Sequence, residues 1–310
     1  MLELINLTKK FGDYTAVDNI SLKVENGEVF GLLGPNGAGK STTVSMISTV
    51  KAPTSGEIKI NGKSLSKNPI EAKKIMGIVP QDIALYQSLS AKDNLEFFGS
   101  LYGLSNGEIK KRCDEVLEII ELKDKKNQAV GEFSGGMKRR VNIGVALMNN
   151  PKLLILDEPT VGIDPQSRNH ILETVKRLNE ERGMTVIYTS HYMEEVEFLC
   201  KRVAIVDHGK LIALGTKEEL KEKIDACDTL TLNYSTANNK ALEAIKTIDG
   251  IEKVSIDKNE IYMLVSPNKT NAMDVIDKVR GLGIKLKSFK YEEVNLESIF
   301  LQVTGKSLRE

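Results

Sequence analysis

The sequence predicts an α/β fold joined to a small α+β domain, and three observations predict it. From residue 1 to about 215, short and mostly apolar segments alternate with helix-like stretches, as strands buried on both faces of a mainly parallel sheet do. Between about 82 and 150 the pattern turns helical. Beyond about 220 the order becomes strand, helix, strand, strand, helix, strand, the split βαβ or ferredoxin-like arrangement. We therefore expect one domain over residues 1–220, carrying a helical subdomain at about 82–150, and an accessory domain over 221–310.

Each element has its own warrant. "EVFGLLG" (28–34), "KLLILD" (152–157), "MTVIYTS" (184–190) and "RVAIVD" (202–207) are the buried strands. "STTVSMISTV" follows the first as an apolar helix. "GEIKKRCDEVLEIIEL" and "GMKRRVNIGVALMNN" show three-to-four spacing, the latter with Met137, Val141, Val145 and Met148 on one face. In "PQSRNHILETVKRLNEERG" Pro165 suits the first helical position, Ile171, Leu172, Val175 and Leu178 make the stripe, and Gly183 suits the stop. "TLTLNY", "IEKVSI", "IYMLVS" and "IKLKSFKY" are the strands of the accessory domain, with helices at "ANNKALEAIKTIDG" and "NAMDVIDKVRGLG".

Bulk composition excludes several classes. Lys+Arg and Asp+Glu are both 43 among 310 residues, so overall charge gives no support for a nucleic-acid or anionic-membrane binder. Cys113, Cys200 and Cys227 lie far apart, without metal-ligand or disulfide-framework spacing. Cys113 falls on an apolar stripe with Ile109, Val116, Leu117 and Ile120, which suits a buried thiol, and all three fit a reducing compartment. The opening residues carry no basic start followed by an apolar stretch, so no signal peptide is expected. No apolar run approaches the roughly 20 residues of a membrane helix.

The strongest chemical motif is "GPNGAGKST" (34–42), which fits G-x-x-x-x-G-K-[ST] between a buried strand and an apolar helix. Gly34, Gly37 and Gly39 let the backbone turn its N–H groups toward phosphate oxygens. The helix N-terminus adds its dipole, Lys40 a charge for the β- and γ-phosphates, and Ser41 a hydroxyl for Mg²⁺. "LLILDEP" (153–159) delivers two carboxylates to a strand end. Open α/β sheets bind ligands there. Asp157 would reach the magnesium shell, and Glu158 would take a proton from an attacking water. Gln81 follows the strand-like "IMGIV" and could touch Mg²⁺ and that water; His191 follows another strand and could donate to the γ-phosphate. Asp164 is available as a helix N-cap before Pro165, and a functional role stands beside the cap. "SGG" (134–136) directly precedes a helix and forms half of a second anion cradle, lacking a Lys and a metal ligand.

Together these motifs resemble the ATP-binding subunit of ABC transporters over about residues 1–220, in the family's order: P-loop, Gln81, "FSGGM", "LDEP", "VGID", His191. The resemblance implies that ATP and Mg²⁺ bind through Gly34, Pro35, Asn36, Gly37, Ala38, Gly39, Lys40, Ser41 and Thr42, with Ser41, Gln81 and Asp157 toward the metal. Glu158, His191 and Gln81 take the catalytic roles. Phe11, 29 residues before Lys40, stands where the family places an aromatic ring against adenine. Tyr14 is the alternative. "FSGGM" is similar to the family's LSGGQ loop, so Ser134, Gly135, Gly136 and Asp164 would serve the nucleotide of a second subunit. The chain departs from the common pattern at Met137, Val161 and Ile163. Met137 and the tail "VNLESIFLQVTGKSLRE" resemble the exporter subgroup of the daunorubicin-resistance type.

The resemblance implies an ATP-hydrolysing motor subunit. It would pair head to tail with a second copy or a homologous ATPase and energise a separate integral membrane permease. It would sit at the cytoplasmic, inner face of the membrane and bind no nucleic acid. A rival is a soluble ABC ATPase acting on ribosomes or DNA. Those usually hold two ATPase halves or a long coiled coil, whereas this chain has one P-loop and no such heptads. A binding module without hydrolysis is the other rival, and Glu158 and His191 stand against it.

Overall fold

A computed structural model describes residues 1–223, 227–237 and 239–304. The chain divides into two compact units, the first Met1–Thr216 and the second starting at Lys217.

The first unit opens with β1 (Leu2–Phe11), β2 (Tyr14–Val24) and β3 (Val29–Leu33), then α1 (Lys40–Ile47), β4 (Ser55–Ile60), β5 (Lys63–Ser64), α2 (Pro69–Lys74) and β6 (Met76–Val79). A helical stretch comes next: α3 (Ala91–Leu101), α4 (Asn106–Ile119) and α5 (Gly135–Leu147). The unit closes with β7 (Leu153–Asp157), α6 (Pro165–Arg182), β8 (Thr185–Ser190), α7 (Met193–Leu199), β9 (Arg202–Asp207) and β10 (Lys210–Thr216).

Six strands form a sheet in the order β10-β9-β3-β8-β7-β6, parallel except for β10. Every residue of β3, β7 and β8 is buried, which accounts for their unbroken apolar composition. Because β6, β7, β8 and β3 run in one direction, the loops after them emerge at one edge. Those loops carry Gln81, Glu158, His191 and the glycine-rich segment, so strand direction alone gathers four distant segments.

A second sheet, order β2-β1-β4-β5, is antiparallel, an element the expected mainly parallel architecture did not contain. One apolar core joins its inner face (Leu2, Leu4, Leu7, Ile20) to α1 (Val44, Met46, Ile47) and to Ile155, Ile187 and Val206 of the parallel sheet. The P-loop helix is thereby held between two sheets.

The helical stretch begins later than residue 82, at Ala91. Reciprocal capping boxes start α3 (Ser90 with Asp93) and α4 (Ser105 with Glu108). Cys113 is buried, and burial pushes its thiol up to about 12. α5 is buried beyond the expected stripe: Arg139 and Asn142 lie inside with Val141 and Val145, while Met137 is half-buried.

The second unit comprises α8 (Lys217–Lys223), β11 (Asp228–Thr236), α9 (Asn239–Ile245), β12 (Ile251–Asp257), β13 (Glu260–Val265), α10 (Ala272–Gly281), β14 (Lys285–Glu292) and α11 (Leu296–Thr304). Its antiparallel sheet has the order β12-β13-β11-β14, the expected split βαβ arrangement. Leu230, Leu232, Ile261 and Met263 meet Ile245, Val275 and Val279 in a core of its own.

Candidate active site

The glycine-rich loop leaves β3 and re-enters the chain as α1 with Gly39 as N-cap in the left-handed region, φ 104°. A Cβ on Gly39 would stand 2.5 Å from the Ala16 carbonyl, and one on Gly34 2.3 Å from that of Val206. These two positions admit no side chain. Lys40 is buried and donates to the Gly34 and Pro35 carbonyls at 2.7 and 3.2 Å. Its Nζ also lies 3.2 Å from Glu158 Oε1.

Glu158 is the point of convergence. Beyond Lys40, Gln81 Nε2 donates to its Oε2 at 3.4 Å. His191 places Nδ1, a buried nitrogen with no hydrogen-bond partner among the described residues, 3.4 Å from the same oxygen. Glu158 itself has φ 46°, left-handed for a non-glycine residue, a conformation that costs on the order of 1–3 kcal/mol and persists only where its surroundings hold it.

Asp157 ends β7 beside it. Ser41 Oγ donates to Asp157 Oδ1 at 3.3 Å and Thr189 Oγ1 at 2.8 Å. Burial pushes the Asp157 carboxyl above its usual range, and these two hydroxyls pull against that push. The Ser41 hydroxyl, the Asp157 carboxylate and the Gln81 amide form an oxygen-bearing donor set suited to a hard divalent cation. Among the described residues no three His, Cys, Asp or Glu cluster into a cage. Mg²⁺ characteristically takes one or two carboxylates and completes its shell with phosphate oxygens and water.

A cleft of about 310 Å³ opens over the loop, lined by Phe11, Tyr14, Ala16, Asn36 through Thr42, Gln81 and Glu158. Phe11 and Tyr14 face each other across the β1–β2 hairpin and both are exposed, so either ring is available to a planar ligand group. Lys9 and Lys51 carry their ammonium groups 5.2 and 4.8 Å from the Phe11 ring.

Ser134, Gly135, Gly136 and Asp164 are not among the residues lining that cleft; they lie at the starts of α5 and α6, where a Cβ on Gly136 would stand 3.6 Å from Asp164 Oδ2. Ser134 caps α5 by accepting the Met137 N–H at 3.3 Å, and Asp164 caps α6 by accepting the Ser167 N–H at 2.9 Å. That backbone bond holds the Asp164 carboxyl below its usual range. A Cβ on Gly136 would overlap Ser167, so the two helix starts are packed together.

Three residues that sequence reasoning passed over support these groups. Arg139 of α5 donates to the Pro80 and Gln81 carbonyls at 2.7 and 2.5 Å, which fastens the Gln81 loop to α5. Glu195 is buried, and its Oε2 accepts from Thr160, Tyr188 and Ser190, each at 2.8 Å. Thr189 contacts both strand-end acids, the Glu158 N–H and the Asp157 carboxylate.

Residues 17–161 match the family model described as ABC transporter. Over the whole of both chains this sequence is 50% identical to the linearmycin resistance ATP-binding protein LnrL of Bacillus subtilis (strain 168). It is 33% identical to the daunorubicin resistance ATP-binding protein DrrA3 of Streptomyces coeruleorubidus, covering 97% of this chain and 95% of that protein. A dimeric ATP-binding cassette solved in a post-hydrolysis state with ADP and Pi is similar to 70% of this chain over 98% of its own, with 30% identity and a TM-score of 0.63.

Proposed function

We propose, on the premise that this chain belongs to the ATP-binding subunits of ABC transporters and to their daunorubicin-type exporter subgroup, that Glu158 is its hydrolytic base. The chain is an ATPase subunit of an exporter-type transport complex.

The observation that carries the proposal is the convergence of Lys40, Gln81 and His191 on one buried carboxylate beside the glycine-rich loop. The backbone of residues 34–42 and the α1 N-terminus receive the phosphates. Lys40 offers its ammonium to the β- and γ-phosphates. Glu158 polarises the attacking water and accepts its proton. Gln81 holds that water by its amide, and His191 donates to the γ-phosphate, countering charge that spreads over the transferred group. Ser41, Asp157 and Gln81 would hold Mg²⁺, which neutralises charge on the β- and γ-phosphates when bound. Phe11, or Tyr14, stacks on the base.

Ser134, Gly135, Gly136 and Asp164 serve the nucleotide of a second ATPase subunit, which supplies the Lys and metal ligands that this half-cradle lacks. The solved dimer with ADP and Pi supports this pairing. Among the described residues no helix is long and apolar enough to cross a membrane. The relatives' names, ATP-binding proteins of export and resistance, support a separate permease as the passage for substrate. We place the subunit on its cytoplasmic face. The exposed rings of Tyr86 and Phe97 stand edge to face with centroids 4.9 Å apart, and Tyr86 follows Gln81 closely in sequence; they are the surface we assign to that permease.

Glu158→Gln tests the base assignment. Its amide cannot accept the proton, so ATP binding persists while turnover falls by about 100-fold or more. Equilibrium nucleotide binding and phosphate release, measured on the same preparation, separate the two. Turnover near the parental rate would remove Glu158 from the role.

A further inference from the structure

The parallel register pairs Asp157 with Thr189 and so puts a hydroxyl beside the two adjacent acids at the end of β7, Asp157 and Glu158. Thr189 is fully buried. Its Oγ1 accepts the Glu158 N–H at 2.8 Å and lies 2.8 Å from Asp157 Oδ1. A threonine hydroxyl has one proton to give. The alternative acceptor, the Leu156 carbonyl, is farther away at 3.4 Å. The proton therefore goes to the carboxylate, as a charge-assisted bond. One side of the hydroxyl thus orients Asp157, and the other captures the N–H of a residue whose backbone is in the left-handed region. The neighbouring buried hydroxyl cannot stand in for it. Ser190 Oγ donates to Glu195 and accepts from the Tyr192 N–H.

We propose that Thr189 is a positioning residue of the hydrolytic site, its hydroxyl locking the backbone of Glu158 and the carboxylate of Asp157 into one arrangement. The inference rests on the reading of Glu158 as base and Asp157 as a magnesium-side group. Thr189 acts through those two and touches no nucleotide.

Thr189→Val keeps the branched shape, removes the hydroxyl and leaves the Glu158 N–H without an acceptor. Thr189→Ser keeps the hydroxyl. In the full-length chain, Thr189→Val loses about 10–100-fold in kcat, the range seen when supports of metal-side groups are removed. Its KM for ATP stays within about threefold, and Thr189→Ser stays near the parent, since binding groups are left in place. In a Glu158→Gln background, adding Thr189→Val costs less than about threefold more, because residues acting as one unit are not additive. A readout free of turnover uses that same background. The Mg²⁺ concentration that half-saturates ATP binding, monitored by fluorescence titration, rises about 10-fold with Thr189→Val and does not rise with Thr189→Ser. Binding without Mg²⁺ is unchanged in both. Should Thr189→Val not fold, Thr189→Cys, a weak donor and weak acceptor, carries the same test with an intermediate loss. Parental kcat and parental Mg²⁺ half-saturation in Thr189→Val overturn the inference, as does a loss in Thr189→Ser equal to that in Thr189→Val. If Glu158→Gln loses turnover while Thr189→Val does not, this inference alone falls. If Glu158→Gln turns over like the parent, the base assignment falls instead.

Discussion

A Cβ built on Gly136 would stand 2.3 Å from the Cβ of Ser167, whereas on Gly135 the nearest atom is Ile163 Cδ1 at 3.7 Å. Two adjacent glycines of one motif thus answer to different constraints. Gly136→Ala forces the starts of α5 and α6 apart, and overpacking of this kind costs about 1–3 kcal/mol. Gly135→Ala fits within its own chain, and in a helix the change from Gly to Ala favours folding by up to about 1 kcal/mol. Urea unfolding should show Gly136→Ala destabilised and Gly135→Ala equal to or above the parent. If ATP-dependent association is nonetheless lost in Gly135→Ala, the constraint on that glycine comes from outside the chain. At this scale Lys40, Ser41, Asp157 and Glu158 were readable as candidates from type and position, and Gln81 and His191 only through the ordered set of motifs; the structure brings all six into one group. Thr189 was not readable, because a threonine in a strand is ordinary β composition and carries no sign of what its hydroxyl meets.

Among the elements, the antiparallel β1, β2 and β4 escaped the sequence for a local reason. Leu2 and Leu4 alternate inward, but the register shifts before Leu7, with Asn6 at φ 47° between them. Asn19 at φ 55° breaks β2 in the same way. A bulge moves the apolar set by one position and erases the period-two signal. In the second unit, the contacts of β11 make a prediction. Asp228, at its start, is buried and accepts from Tyr291 Oη at 2.6 Å, the Val294 N–H at 2.9 Å and Lys221 Nζ at 2.9 Å. Burial pushes its carboxyl up, but these bonds outweigh it and hold the carboxyl below its usual range. The unfolded chain therefore binds this proton more readily than the folded one. The stabilisation is in place at neutral pH and is lost as pH falls through the folded value. Thermal unfolding across that range should show Asp228→Asn less stable than the parent at pH 7, with the gap closing in acid. Nucleotide binding at neutral pH should be unaffected. A gap that widens in acid would reverse the assignment.

For the whole molecule, the separation between the residue 34–42 cleft and the Ser134–Gly136 group is the feature with consequences. A half-cradle that serves another subunit allows defects to complement between chains. One chain carries Lys40→Ala, the other Gly135→Asp, which adds a side chain and a negative charge where phosphate must approach. Both carry Glu158→Gln to prevent hydrolysis. Either chain alone builds dimers with two damaged sites, whereas mixed dimers have one site with both defects and one with none. Size-exclusion chromatography with ATP should show dimers in the mixture and few with either chain alone, given that Glu158→Gln with both motifs intact dimerises well. Failure of the mixture under that control would mean that the loop acts within its own chain.

The phosphate loop, the strand-end acids and the helix caps at Ser134 and Asp164 were determined by the sequence itself, because each depends on contiguous residues and on local backbone geometry. So was the order from β11 to β14 in the second unit, though not the flanking α8 and α11. Only the tertiary structure decided which distant residues face one another. β7 and β8 are buried along their whole length, so neither shows an alternation that would set their register. That register places Thr189 opposite Asp157. Packing of the sheet as a whole selects it, and with it the hydroxyl that reaches both the Asp157 carboxylate and the Glu158 backbone.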